Sequence, residues 1–278
     1  LPCKFFLRMR PLRPVFALYV LAYCLFRVHS EVEIPEKCTK EMELEELWNI
    51  SYDFGKHGLF DESRLCFERY AVLNYLNEKV WCLLSEIHAR IGNTQGAVQY
   101  AFVAARISGH EKRGAEGFFL LANGYMGMNR FDLARQNFYR AIRIDPSHVS
   151  SMVNLGVVLG NNNDYNEAIP VYRRAVAIDP TIMAARHNLG SALHTVKRFG
   201  EALHVLEALR RDEPSCFECI LSLGHTLSEV KMLERAKAAY KDAMDLRPQD
   251  PDALLNYYHT KQQVIDWEDR DHLFERLK

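Results

Sequence analysis

Residues 155–180 read LGVVLGNNNDYNEAIPVYRRAVAIDP, and residues 189–214 repeat the same pattern 34 positions later as LGSALHTVKRFGEALHVLEALRRDEP. Each stretch closes with a proline, a residue that cannot continue a helix. The proline recurs every 34 residues, at Pro146, Pro180, Pro214 and Pro248. A period of this length is typical of a helix-turn-helix unit stacked on its neighbours. The sequence therefore predicts an all-α fold built from repeats.

Small and bulky residues follow the same period. In the first helix, a leucine precedes a small residue at Leu121-Ala122, Leu155-Gly156, Leu189-Gly190 and Leu223-Gly224. In the second helix, alanine recurs at Ala134, Ala168, Ala202 and Ala236, a bulky residue at Phe138, Tyr172, Leu206 and Tyr240, and a further alanine at Ala141, Ala175 and Ala243, from which Leu209 departs. The small residues predict that neighbouring helices approach closely.

This pattern resembles the tetratricopeptide repeat (TPR) family. The resemblance implies a right-handed superhelix, an α-α solenoid of about six repeats plus a capping helix. We expect four clear repeats within 115–250 and two divergent repeats within 44–114. Residues 251–278 are predicted to form a capping helix that ends near Val264 and a short junction helix over Glu268–Leu277.

The N-terminal 30 residues have the features of a secretory signal. Basic residues precede an apolar run at Val15–Phe26, and Val28 and Ser30 suit a cleavage site, with Met9 as a candidate initiator. The alternative is an unstructured N-terminus, and residues 31–43 are interpreted as a linker. If the segment is a true signal, the protein is expected to be lumenal or secreted. If it is not, the protein is expected to be nucleocytoplasmic. No membrane span is expected after residue 30.

The cysteines do not decide the compartment. Cys66 and Cys82 fall on packing faces of helices and are interpreted as buried thiols. The single Cys216-Phe217-Glu218-Cys219 motif predicts neither a zinc site, which needs a second pair of ligands, nor a redox site, because no thioredoxin-like pattern surrounds it. In a secreted chain, Asn49-Ile50-Ser51 is a candidate glycosylation acceptor.

Composition and motifs indicate binding rather than catalysis. The formal net charge of the 278 residues is -1, so nucleic acid is not an expected partner. No phosphate-binding loop, dinucleotide fingerprint, metalloprotease motif or nucleophile elbow occurs in the sequence. We therefore expect no catalytic residue, metal or cofactor, and the partners are predicted to be proteins or extended peptides.

The TPR resemblance implies that the first helices line a concave groove. Polar residues occupy the groove positions, namely Asn123, Asn154, His187, Asn188, Ser191, Ser222, His225, Asn256 and His259. Because an asparagine amide both donates and accepts, a ladder of them at one-repeat spacing suits the main chain of an extended peptide. The alternative interpretation is a polar face that is merely solvated.

Residues 246–277 resemble the end of the TPR region of O-GlcNAc transferase, through Leu246-Arg247-Pro248, Asn256, His259 and the Asp266-Trp267-Glu268-Asp269-Arg270-Asp271 motif. This resemblance implies a substrate-recognition arm, although the 278 residues hold no glycosyltransferase domain. The alternative is a stand-alone secreted or lumenal scaffold.

A chaperone-tail clamp is disfavoured, because the fifth positions hold Phe119, Val153, His187 and Leu221 rather than lysine. Homodimer formation stays open.

Overall fold

The computed structural model describes Cys38 and residues 43–108 and 114–276, with side chains as far as Val264. These residues form thirteen helices and contain no strand. The helices are α1 (Leu44–Lys56), α2 (Phe60–Leu73), α3 (Glu78–Arg90), α4 (Thr94–Ser108), α5 (Gly114–Gly127), α6 (Phe131–Ile144), α7 (Val149–Asn161), α8 (Tyr165–Ile178), α9 (Met183–Thr195), α10 (Phe199–Asp212), α11 (Phe217–Glu229), α12 (Leu233–Leu246) and α13 (Pro251–Arg276). The predicted all-α class is confirmed.

Six first helices, α1, α3, α5, α7, α9 and α11, end in the same way, with a residue of positive φ two positions after the last helical residue. That residue is Gly58, Gly92, Asn129, Asn163, Lys197 or Lys231. The next residue then donates its N–H back to the helix, as Arg198 does to the Leu193 carbonyl at 2.8 Å and Met232 to the Leu227 carbonyl at 2.9 Å. These bonds satisfy carbonyl groups that the helix end leaves open. The tight turn sends the second helix back along the first.

Three small residues of the first helices, Gly156, Gly190 and Gly224, lie directly against bulky residues of the second helices. A methyl group on Gly156 would come within 2.4 Å of the Tyr172 ring, and one on Gly190 within 2.6 Å of Leu206. The helices of one repeat therefore approach more closely than any side chain at these glycines would permit.

The chain divides into two compact units, of which the first ends at Ser151. Its core includes Phe67, Trp81 and Leu84. A buried polar cluster lies in the same unit, where Arg64 pairs with Glu68 at 3.2 Å and the Tyr100 hydroxyl donates to Glu68 at 3.0 Å. Because both partners of the ion pair are almost fully buried, each charge depends on the other for compensation.

The second unit begins at Met152. Its core joins Leu206, Ile220, Leu223 and Leu227 to Tyr240. These side chains belong to α10, α11 and α12, so the apolar faces of consecutive repeats form one continuous core within this unit.

Two disulfides correct the interpretation of the cysteines. Cys38 and Cys66 are bonded, with Cα atoms 5.7 Å apart, and Cys216 and Cys219 are bonded, with Cα atoms 5.4 Å apart. The prediction of a free thiol at Cys66 was wrong because a disulfide depends on spatial proximity, and local helix periodicity does not show that Cys38 lies beside α2. The prediction of a buried thiol is confirmed at Cys82.

The C-terminal segment also differs from expectation. One helix, α13, runs without interruption from Pro251 to Arg276. The predicted break between Val264 and Glu268 is absent, since no glycine or proline lies there to end the helix.

The predicted signal at 1–30 lies outside the described residues, as does the predicted linker at 31–43 apart from Cys38 and Glu43. Within the described part of the chain, no helix has both the length and the apolar character needed to cross a membrane.

Candidate functional site

All nine predicted groove residues lie on first helices. Asn123 belongs to the first unit, on α5, and the other eight belong to the second unit, on α7, α9, α11 and α13. Eight of the nine side chains are partly buried, and His259 is exposed. Six residues of the second unit define what we call the first-helix face, namely Asn154, His187, Asn188, Ser222, His225 and Asn256.

Polar contacts join the first-helix face across three successive repeats. His187 Nε2 lies 3.1 Å from Ser222 Oγ, which links α9 to α11. Asn256 Nδ2 lies 3.4 Å from His225 Nε2, which links α11 to α13. The Asn256 amide also donates to the Asp252 carbonyl at 2.7 Å. These pairs hold donors and acceptors at a spacing of one repeat.

A second polar row lies beside the first and was missed by the sequence analysis. His194 Nδ1 lies 3.0 Å from Thr226 Oγ1, and the Thr226 hydroxyl donates to the Ser222 carbonyl at 2.8 Å. His194 follows His187 by two helical turns, so the helical period places both on one face of α9. The seven-residue spacing of His187 and His194 is the sequence signal that could have identified this second row.

Burial controls the charge of the two face histidines. It lowers the pKa of His187 below its ordinary value of 6.5, although Glu218 acts in the opposite direction. It also lowers the pKa of His225, and the charge of His194 adds to this effect. Both imidazoles are therefore neutral at pH 7, and each offers one donor and one acceptor.

One carboxylate, Glu218, lies at the edge of the first-helix face, four residues before Ser222 on α11. A hydrogen bond from its own main-chain N–H lowers its pKa, and the adjacent Arg247 lowers it further. Arg247 Nη2 lies 2.8 Å from the Glu218 carboxylate. The face thus presents neutral hydrogen-bonding groups with a paired charge at one edge.

The described residues contain no cluster of three or more side chains suited to hold a metal ion.

The His187–Ser222 pair belongs to a row of similar inter-helix contacts. An arrangement of this kind can bind the donors and acceptors of a peptide main chain.

Two family models match the chain, both described as tetratricopeptide repeat, over residues 119–181 and 217–250. The chain contains tetratricopeptide repeats. The matched ranges fall within the residues where the 34-residue period is most regular.

Several solved structures share the fold. YrrB, described as a TPR protein with an unusual peptide-binding site, has a TM-score of 0.59 at 20% identity, over 70% of this chain and 97% of its own. PilF of Pseudomonas aeruginosa has a TM-score of 0.66 at 10% identity, over 79% of this chain and 97% of its own. The APC/C hetero-tetramer Cut9-Hcn1 has a TM-score of 0.64 at 16% identity. This match spans 87% of this chain but only 45% of that one. At these identities the likeness establishes the fold alone.

No curated protein matches the chain. The resemblance of residues 246–277 to O-GlcNAc transferase and the homodimer therefore stay predictions. The groove role of the first-helix face likewise stays a prediction.

Proposed function

We propose that this TPR protein is a scaffold that binds an extended polypeptide along its first-helix face. The observation that carries the proposal is the chain of contacts from His187 to Ser222 and from His225 to Asn256. The side chains are fixed at one-repeat spacing by neighbouring helices. Groups ordered before binding lose less conformational entropy when a peptide arrives.

The face suits a main chain better than a charged ligand. His187 and His225 are neutral at pH 7, and the Glu218 carboxylate is already paired with Arg247. Neutral donors and acceptors can bond to peptide N–H and C=O groups of any sequence. We therefore expect broad selectivity among peptide sequences.

Substitution of Asn154, Asn188 and Asn256 together by alanine tests the proposal. The probe is a phage-displayed library of random linear peptides, selected on the unmodified protein, and affinities of the selected peptides are then measured for each variant. Loss of two or three hydrogen bonds should weaken binding roughly tenfold or more. Circular dichroism should show unchanged helix content.

Asn166→Ala is the matched control, because Asn166 is exposed on α8, a second helix. It should bind the selected peptides as the unmodified protein does. The proposed face would be contradicted if the triple variant bound the peptides as tightly as the unmodified protein does. It would also be contradicted if Asn166→Ala lost as much affinity as the triple variant.

A second candidate is a secreted or lumenal TPR scaffold, which the Cys38–Cys66 disulfide favours. Both cysteines are fully buried in the first unit, and the Arg69 guanidinium donates to the Cys38 carbonyl. Disulfides persist in oxidising compartments and are rare in the cytosol and nucleus. The bond thus supports a lumenal location over the nucleocytoplasmic one implied by the resemblance to O-GlcNAc transferase.

Asn49 provides the test of this location. Its side chain is exposed on α1, whereas Ser51 of the same acceptor motif is fully buried and donates to the Leu47 carbonyl at 2.6 Å. Protein from its native cells should lose mass on treatment with peptide N-glycosidase, and Asn49→Gln should abolish the change. Absence of any glycan would count against the lumenal candidate and leave the peptide-binding proposal intact.

A further inference from the structure

The disulfide between Cys216 and Cys219 lies at the start of α11. Cys216 is the N-cap residue, and its sulfur accepts the main-chain N–H of Cys219 at 3.3 Å. Cys216 is partly exposed, whereas Cys219 is only 1% exposed. Cys216 is therefore the more accessible residue of the pair, and Cys219 is shielded.

The Cys38–Cys66 disulfide differs from this pair in both respects. Each of its cysteines is 0% exposed, and the bonded residues are 28 apart in sequence rather than 3. A disulfide that closes a long loop restricts the unfolded chain more than one that closes a short loop. The Cys38–Cys66 bond thus has the geometry of a structural crosslink, and the Cys216–Cys219 bond contributes less to stability while being more accessible.

We propose that Cys216 and Cys219 form a thiol–disulfide exchange site that oxidises thiols. A substrate thiolate attacks the Cys216 sulfur, a mixed disulfide forms, and Cys219 leaves as a thiolate that takes up a proton. A second substrate thiolate attacks the substrate sulfur of the mixed disulfide and displaces the Cys216 thiolate, which is protonated in turn. Two thiols become one disulfide, and the protein disulfide takes up the two electrons.

The start of α11 favours both leaving groups. A helix N-terminus carries partial positive charge and stabilises a thiolate. Cys216 receives the Cys219 N–H, and Cys219 lies in the first turn. A thiolate that is better stabilised leaves the disulfide faster.

The two residues between the cysteines both contact Arg247. The Arg247 guanidinium lies over the Phe217 ring at 4.1 Å from its centroid and pairs with the Glu218 carboxylate at 2.8 Å. This pairing offsets the negative charge next to the sulfurs, which would otherwise oppose thiolate formation. Glu218 also connects the exchange site to the edge of the first-helix face.

Titration of the full chain with reduced and oxidised glutathione tests the proposal. After equilibration, free thiols are alkylated and assigned by peptide mass spectrometry. Cys216–Cys219 should open at a thiol-to-disulfide ratio roughly tenfold or more below the one that opens Cys38–Cys66, because accessible disulfides are the more easily reduced. Opening of both bonds at the same ratio, or of Cys38–Cys66 first, would overturn the assignment.

Trapping identifies the attacked sulfur. With oxidised glutathione, Cys219→Ser should accumulate a glutathione adduct on Cys216, and the matched Cys216→Ser should leave Cys219 unmodified under the same conditions. Cys82 is an internal control, because burial raises the pKa of its thiol. Equal modification of Cys216 and Cys219 would refute the division of roles. If a variant loses helix content, the titration of the unmodified chain still decides.

Discussion

Gly224 and Tyr240 lie in contact across the sixth repeat, so that a methyl group on Gly224 would come within 2.6 Å of the tyrosine ring. Tyr240 is 2% exposed and belongs to the core of the second unit. The ring has no space into which it could retreat without disturbing that core. The glycine is therefore required by packing, and not by its backbone conformation.

Gly224→Ala should destabilise the protein by about 1–3 kcal/mol, the usual cost of excess volume in a packed core. The measurement is the free energy of unfolding in urea. Gly200→Ala is the matched control, because nothing lies within 4 Å of a methyl group at Gly200 on α10. There the better helix propensity of alanine should stabilise by about 0.5–1 kcal/mol. Changes of the same sign at both sites would contradict the packing argument.

The turn after α9 carries backbone strain at Lys197, which has φ 60°. A non-glycine residue in this region costs roughly 1 kcal/mol. Lys197→Gly should therefore raise the free energy of unfolding by about 0.5–1 kcal/mol, and Lys231→Gly, at φ 63°, should behave alike. Urea titrations measure both.

Lys241→Gly, within the helix α12, is the opposite case. Glycine in a helix interior costs about 1 kcal/mol. The same substitution thus has opposite effects at two lysines, and equal destabilisation at Lys197 and Lys241 would show that the turn is not strained.

The sequence predicts the repeats because the fold depends on residues whose roles are local. A proline that ends each second helix and a glycine such as Gly190 opposite a bulky residue such as Leu206 recur at one period. That period also places His187 and Ser222 on first helices. In the structure, His187 Nε2 lies 3.1 Å from Ser222 Oγ. Helix type and helix face follow from spacing alone.

The remaining features depend on proximity that the period does not encode. Cys38 lies 28 residues before Cys66, outside any repeat, and no sequence pattern indicates that they meet. The positive φ at Lys197 has no sequence indication either, since lysine is not a turn residue. The spacing of His194 from His187 indicates their shared face on α9, but not the contact of His194 with Thr226 on another helix.

Loss of the Cys38–Cys66 bond should destabilise the first unit. With 28 residues of separation, the loop-closure contribution is about 3–4 kcal/mol. Cys66→Ala should lower the free energy of unfolding by about this amount, measured in urea under oxidising conditions. A reducing agent should remove most of the difference between the variant and the unmodified protein, and a difference that persists in full would assign the effect to packing instead.

Acidification should weaken the second unit through His187 and His225. Burial holds both pKa values below 6.5 in the fold, so as the pH falls below 6.5 the unfolded chain binds protons that the folded chain does not. The free energy of unfolding therefore decreases as the pH falls from 7.5 towards the lowered pKa values of the folded state. The variant His187→Gln/His225→Gln cannot take up these protons and should lose less stability over the same range. Urea unfolding at pH 7.5 and 5.5 measures the difference, with His204→Gln, at an exposed position on α10, as the matched control. An unmodified protein whose pH dependence equals that of the double variant would show that the two imidazoles are not held neutral by burial.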